Sequence, residues 1–467
     1  MDGLLVCSHR GPYTYEEVDG RLERRRGSGG LVTALSALLR GGSEVSWLAC
    51  ALSDRDREVA NGRAVGGGVS TRLLDIRCEE HRRFYDDACV TGLGFIFHGL
   101  VDQTYTPTFD ARFSAGWAAY KEVNHMYAAA AAWWARDRPI LVEDYHLMLV
   151  ADSLHDIGHT RRGPLAYFHH VPWCSPAYFA LLPRKVRAEI LAKILAFDTI
   201  GFHARRWARE FLACVDSFLP EARCEPHVVR WRGREVSIVV APAQVDVSEV
   251  RKIVTGAAAE RWRRKISRLV GPRQLVIRVD RVDLWKNIVR GFQAFERMVM
   301  DKAADDVTFL ALLAKSRMHI PEYKRYFAAC MREAARINER LDRGGRRAVR
   351  VLLAEDTSDY ARALAGLSLA DVVVVNSTSD GLNLVAKESA IAGDGRSRLV
   401  LSETTGVHDE IGRWAYGVNP FDIEETASAL ARALSENDTR LGLRNAVNND
   451  SPDAWVHRRL AAAVAAR

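Results

Sequence analysis

Short, continuous apolar runs recur along this chain, separated by longer stretches whose apolar positions follow a helical spacing. The runs Leu4–Cys7, Ile140–Val142, Leu165–Phe168, Thr199–Phe202 and Val236–Val240 predict strands, and Leu31–Leu39, Ala111–Ala135 and Arg184–Leu195 predict helices between them. A strand that is apolar at every position must be covered on both faces, so the alternation predicts a parallel sheet with helices on either side. The pattern pauses at Ala241-Pro242-Ala243-Gln244-Val245-Asp246 and restarts with Leu275–Val279, Val307–Leu313, Val349–Leu353, Asp371–Val375 and Leu399–Leu401. This reads as an α/β chain of two doubly wound, Rossmann-like domains, 1–244 and 245–450, followed by a helix over 451–467. Ligands of such sheets bind beyond the carboxyl ends of the strands. Two such domains facing each other predict a site in a central cleft.

Composition agrees with this picture. The 467 residues are too many for one ordinary core, and 48% of them are hydrophobic, enough for two. Lys and Arg exceed Asp and Glu by 66 to 59, a formal charge of +7. The basic residues are scattered; Arg24-Arg25-Arg26 is the one tight run and has no interleaved aromatics, so phosphorylated, anionic small substrates are expected rather than nucleic acid. The eight cysteines form no Cys-x-x-Cys pair, which predicts buried free thiols in a reducing cytoplasm and no zinc site. The chain enters its first strand directly, an expectation of no leader peptide, and lacks an apolar run of about 18 residues, so no membrane span is expected.

The candidate chemistry gathers at predicted strand ends. After the apolar strand ending at Val375 comes Ser379-Asp380-Gly381-Leu382-Asn383-Leu384-Val385-Ala386-Lys387-Glu388, a turn that opens a helix. A strand, a glycine turn and a helix N-terminus surround one small volume with free backbone N–H groups, and the helix dipole draws negative charge there. Asp380 and Asn383 are placed to bond sugar hydroxyls, and Glu388 to reach a ribose diol; the arrangement suits a nucleotide-diphosphate sugar. Arg281 and Lys286, in Arg281-Val282-Asp283-Leu284-Trp285-Lys286-Asn287, form a cationic pair able to neutralise a pyrophosphate leaving group, with Asp283 to hold the arginine. Arg317 is a further candidate phosphate contact. In the first domain, Gly27-Ser28-Gly29-Gly30 precedes a helix and would let backbone approach phosphate, although the dinucleotide spacing is absent. Glu143-Asp144-Tyr145-His146 and His169-His170-Val171-Pro172 end two strands and are predicted to face the cleft; no third residue at ligand spacing supports a metal there.

These pieces, in this order, resemble the trehalose-6-phosphate synthase family of retaining GT-B glycosyltransferases. The resemblance rests on Gly29-Gly30-Leu31, Asp144-Tyr145-His146-Leu147, His170-Val171-Pro172, Ile200-Gly201-Phe202, Arg281 with Lys286, Asp380 to Glu388, Leu401 to Gly406 and Val418-Asn419-Pro420. It implies a GT-B fold, a terminal helix that crosses back to the first domain, and a front-face mechanism. In that mechanism Arg281 and Lys286 stabilise the leaving diphosphate, Asp380 and His170 bond the transferred ring, and Asp144 contacts the acceptor. Gly29, Gly30, Gly381, Leu382, Asn383, Leu384, Val385 and Glu388 would hold the donor, and Arg10, Trp47, Tyr85 and Arg317 an acceptor phosphate. The implied co-substrate is a nucleotide-diphosphate sugar or cyclitol of the UDP or GDP type, with no further cofactor and no metal. The implied partners are small molecules, with no nucleic acid or membrane, and a homo-oligomer is compatible with the sequence.

Three positions depart from the synthase pattern: Ser379 where arginine usually precedes Asp-Gly, Asn287 where glycine follows the lysine, and Gly94 where tryptophan is usual. The first two, with Thr199-Ile200-Gly201-Phe202, Arg206-Trp207 and Trp231-Arg232-Gly233, resemble the pseudo-glycosyltransferase branch typified by validoxylamine A 7'-phosphate synthase. Three activities therefore fit the sequence: a sugar transferase in specialised metabolism, a coupling of a nucleotide-activated cyclitol to an aminocyclitol phosphate through nitrogen, and a non-catalytic sugar-phosphate-binding paralogue.

Overall fold

A computed structural model describes residues 3–27, 35, 45–62, 69–135, 137–159, 163–301, 306–341, 348–354, 359–436, 441–447, 451–452, 454–456 and 458–459. The chain forms two compact units, Met1–Pro242 with Pro452–Arg467, and Ala243–Ser451. Gly29, Gly30 and the helix expected over Leu31–Leu39 lie outside the described residues.

The first unit is built on a nine-stranded sheet. In chain order its parallel strands are β1 (Leu4–Ser8), β4 (Val45–Cys50), β5 (Ser70–Leu74), β6 (Ile140–Glu143), β7 (Leu165–His169), β8 (Thr199–Phe202) and β11 (Arg234–Val240). The hairpin partners β9 (Arg223–Glu225) and β10 (Val228–Trp231) close one edge antiparallel, and β2 (Tyr13–Val18) pairs with β3 (Arg21–Arg26) as a separate ribbon. The spatial order is β5-β4-β1-β6-β7-β8-β11-β10-β9. Strand order reverses between β1 and β6, where Cys7 lies opposite Val142. That switch point opens a crevice at the carboxyl ends of the two strands. β4 is fully buried yet its sequence does not stand out as an apolar run, because Ser46 interrupts it.

The second unit carries a six-stranded parallel sheet: β12 (Gln274–Arg281), β13 (Val307–Ala314), β14 (Val349–Ala354), β15 (Val372–Val375), β16 (Arg398–Ser402) and β17 (Tyr416–Val418). Its order, β14-β13-β12-β15-β16-β17, reverses between β12 and β15. Val276, Phe309, Val374 and Val400 from the sheet pack with Phe292 and Phe295 of the helix Ile288–Met300 and Leu430 of the helix Ile423–Ser435. Phe309 meets both phenylalanines edge-on at 5.3 Å between centroids, the geometry favoured by the ring quadrupole.

All eight cysteines are free thiols. Contrary to the sequence expectation, not all are buried: Cys78 is exposed and Cys224 half-buried. No described helix is long and apolar enough to cross a membrane.

Candidate active site

In the second unit the reactive side chains stand on both sides of the switch point. β12 ends at Arg281, whose guanidinium lies 2.7 Å from a carboxylate oxygen of Asp283. Asp283 is fully buried and also accepts from the Ser316 hydroxyl at 2.7 Å and from Arg317 at 3.1 Å. Burial alone would raise the Asp283 pKa, but the two arginines and the serine outweigh it and hold the carboxyl below its ordinary value. Asp283 therefore remains an anion and fixes Arg281 and Arg317 as a forked pair.

Lys286 donates to Asp380 Oδ2 at 2.7 Å and stands 3.8 Å from Asp280. Burial opposes its charge, yet Asp380 and Asp280 outweigh burial and raise its pKa, so it stays an ammonium. Asp280 in turn receives the buried Arg278 guanidinium through Nε at 3.1 Å and Nη2 at 2.7 Å, and Arg278 also donates to the Lys286 carbonyl at 2.7 Å. The lysine backbone is thus as firmly held as its head group.

Asn287, the departure after Lys286, has φ 57° and ψ 40°. This left-handed conformation favours glycine, and asparagine is among the residues that adopt it most readily. The replacement keeps the turn, and its side-chain amide adds bonds to the carbonyls of Asn376 at 2.9 Å and Pro420 at 2.7 Å.

Across the switch point, β15 leads into the turn at Asp380. Asp380 Oδ2 also receives Ser377 Oγ at 3.2 Å and Asn383 Nδ2 at 3.0 Å. Asn383, at φ 81°, caps the helix Leu384–Ala392 through Ala386 N at 3.4 Å. Gly381, Leu382, Leu384 and Val385 complete this turn and first helical residues. Further along, Lys387 is buried and bonds the Ala243 carbonyl at 2.9 Å and Gln244 at 3.2 Å, so it anchors the start of the unit rather than a ligand.

Glu388 is also buried and accepts from the Tyr360 hydroxyl at 2.7 Å. Burial pushes its pKa up to about 7, an effect only partly offset by that hydrogen bond. Because the folded state holds this proton more tightly than the unfolded chain, stability falls as pH rises from 4.5 towards 7 and stays lowered above. We expect Glu388→Gln to melt higher than the parent at pH 8, by up to about 3 kcal/mol, and to match it below pH 4.5. Melting curves at the two pH values check this; a variant destabilised equally at both would refute it.

In the first unit, four adjacent strands present chemistry at their carboxyl ends. Beyond β1, Ser8 accepts from Trp47 Nε1 at 2.7 Å and donates to the Arg10 carbonyl at 2.6 Å, leaving the Arg10 side chain exposed. Trp47 itself is fully buried, so it acts on Arg10 through Ser8 rather than through its own surface. Tyr85 lies in a π-helical run, Arg83–Gly94, with its ring stacked 4.5 Å from His9.

β6 ends at Glu143, and Asp144 follows at φ 74°, a strained value for a residue with a side chain. Asp144 Oδ1 accepts from the backbone N–H of Tyr145 at 2.9 Å and of His170 at 3.1 Å, which repays the strain; burial nonetheless raises its pKa. Of eight non-glycine residues with positive φ among those described, four are Asp144, Asn287, Arg317 and Asn383. Strain is therefore concentrated at the residues singled out from sequence.

The two histidines after β7 have different environments. His169 is buried, bonds the Tyr167 hydroxyl at 2.8 Å and is held neutral by burial, with a pKa of about 3, so it is a packing residue. His170 is engaged at both ring nitrogens: Nε2 meets Glu143 Oε2 at 2.6 Å and Nδ1 meets His203 Nε2 at 3.0 Å. The other oxygen of Glu143 receives Arg459 Nη2 at 2.9 Å. Arg459 is buried, with its guanidinium over Phe168 at 4.1 Å and Trp455 at 4.5 Å. Burial would raise the Glu143 pKa, but Arg459 and His170 overcome it and lower it. Glu143 is therefore an anion, so His170 Nε2 carries a proton. Glu143 was placed at a strand end from sequence, but its partners His170 and Arg459 and the partner His203 of His170 were not paired there, because they lie 27, 316 and 33 positions away.

Two Rossmann-type sheets, one with a fixed cationic pair at its switch point, are the architecture of a nucleotide-sugar-dependent transferase. The chain belongs to glycosyltransferase family 20, whose family model matches residues 2–451. It is 29% identical over 444 residues to the bifunctional trehalose-6-phosphate synthase/phosphatase of Thermoproteus tenax, covering 92% of this chain and 58% of that relative. Over 477 residues it is 28% identical to validamine 7-phosphate valienyltransferase of Streptomyces hygroscopicus subsp. jinggangensis, covering 97% of this chain and 91% of the relative. Among solved structures, a UDP-forming alpha,alpha-trehalose-phosphate synthase from Burkholderia vietnamiensis matches with a TM-score of 0.82 at 26% identity, covering 100% of this chain and 98% of that one.

Proposed function

We propose that this chain transfers a sugar from a nucleotide-diphosphate sugar to a phosphorylated sugar acceptor with retention of configuration. The observation that carries the reading is the pairing of Lys286 with Asp380 across the switch point of the second unit, with Arg281 locked beside them on Asp283. In this reading the bond between the anomeric carbon and the diphosphate oxygen breaks, and its electron pair goes to the phosphate. Arg281 and Lys286 neutralise the developing charge from positions set before the reaction. The acceptor hydroxyl attacks the same face and passes its proton to the departing phosphate oxygen, so no enzyme nucleophile is needed. Asp380 and the turn Gly381–Val385 are assigned to the transferred ring and Glu388 to the ribose; His170 is assigned to the donor ring substituents and Asp144 to the acceptor. Arg10, Tyr85 and Arg317 are assigned to the acceptor phosphate, with Trp47 supporting Arg10. UDP or GDP is the expected leaving group, without a further cofactor.

A second reading is favoured by the valienyltransferase relative and by Asn287 and Ser379: transfer of an activated cyclitol to the nitrogen of an aminocyclitol phosphate. The two are separated by measuring nucleotide diphosphate release from UDP-, GDP- and ADP-activated glucose and cyclitol donors. Each donor is combined with glucose 6-phosphate, an aminocyclitol phosphate or an unphosphorylated sugar. Release that depends on a sugar phosphate is the expected result. Release with the cyclitol pair alone establishes C–N coupling, and donor binding without release for any acceptor supports the non-catalytic paralogue.

A further inference from the structure

His9, Cys50 and His81 come from three separate elements: the loop after β1, the end of β4 and the helix Cys78–Arg82. Their ligand atoms, one imidazole nitrogen from each histidine and Cys50 Sγ, all lie within 4.8 Å of one another. The two histidine Nε2 atoms are 2.9 Å apart. His9 and Cys50 are buried, and His81 is half-buried. The sequence offered no signal for this set, because its members are far apart along the chain.

We propose that His9, Cys50 and His81 bind a borderline-soft divalent metal ion, Zn2+ in preference to Mg2+ or Ca2+, at the carboxyl ends of β1 and β4. Two imidazoles and a thiolate form the donor set that zinc selects, whereas magnesium and calcium require oxygen ligands. Tetrahedral Zn–N bonds of about 2.0–2.1 Å and a Zn–S bond of about 2.3 Å place the two nitrogens slightly more than 3 Å apart and the sulfur about 3.6 Å from each. The histidines thus open by a few tenths of an ångström and the set, spread within 4.8 Å, closes onto the ion. The fourth position is left to water.

The surroundings are arranged to orient the ligands. The His9 ring lies parallel to two flat neighbours, with its centroid 4.5 Å from that of Tyr85 and 5.0 Å from that of His146. Cys50 Sγ lies 3.3 Å from the Tyr127 hydroxyl, which donates to the Ser8 carbonyl at 2.8 Å. A thiol must lose its proton to ligate the ion. On binding, that proton is released and becomes the single proton lost, because the imidazole Nε2 proton shifts to Nδ1 of the same ring. The ion staples three elements next to Arg10, so its occupancy would set the order of the assigned acceptor half-site.

The full chain, stripped with a chelator and titrated with Co2+, is expected to bind one ion. Binding should release one proton and produce tetrahedral d–d bands with a thiolate-to-cobalt band, all removed by Zn2+. Cys50→Ser should abolish the thiolate band, and His81→Gln should weaken binding by at least about tenfold. X-ray absorption of the zinc-loaded parent requires no variant and is expected to show one sulfur and two imidazoles. Failure to take up Co2+ or Zn2+ at micromolar protein, or a zinc shell without sulfur, overturns the proposal. Because these readouts need no substrate, they stand or fall separately from the transferase reading.

Discussion

Replacing Arg281 or Lys286 by alanine is expected to lower turnover by about two orders of magnitude or more, with donor binding affected less. Preorganised charges aimed at a developing anion are worth about 10²–10³ in rate each. Here both cations are prepaid: Arg281 is fixed by Asp283, and Lys286 by Asp380 and Asp280. Lys286→Arg should not restore the rate, because a planar fork cannot occupy the site of a compact ammonium held by two carboxylates. Steady-state measurement of kcat and KM for each variant checks this, once a productive donor and acceptor are in hand. Near-parental kcat in Arg281→Ala and Lys286→Ala would remove both from the chemical step.

The largest effect on stability is expected at Glu143. Glu143→Gln leaves the Arg459 guanidinium buried without its anion, and breaking a buried pair in this way costs about 3–5 kcal/mol. Its folded pKa is lowered, so Glu143 contributes stability above its unfolded pKa and loses it as pH falls through the folded value. The gap between parent and variant should therefore be full at pH 7 and shrink in acid. Joint replacement, Glu143→Leu with Arg459→Met, should recover much of the loss, since neither charge is then stranded. Thermal and urea melts of Glu143→Leu, Arg459→Met and the double variant complete the cycle. Additive losses would show that the pair is not coupled.

The fold was legible because its central strands are short apolar runs: Val372–Val375 is four valines, all buried. The turn after it was legible for a related reason, since a helix must leave its first N–H groups open and Asp380 and Asn383 stand where those groups collect. Asn287 looked like a departure in sequence; the backbone angle shows why asparagine serves where glycine does. What escaped was set by distance along the chain. Trp47 stands among the acceptor-phosphate residues until β4 is seen to bury it, and His169 and His170 look alike until one turns into the core and the other meets Glu143. The groups around His9 and Glu143 share no local pattern, because each contributes one atom from a different element.

The Glu143–Arg459 bond spans 316 positions, and the first unit contains chain from both ends of the sequence. A ribosome adding about 5–20 residues per second needs roughly 15–60 seconds between them. During that interval Glu143 has been made but lacks its arginine. The order of synthesis thus imposes a checkpoint. A ribosome that stalls before residue 459 leaves behind a buried carboxylate with no guanidinium to meet it, a defect that quality-control proteases can act on before any substrate is bound.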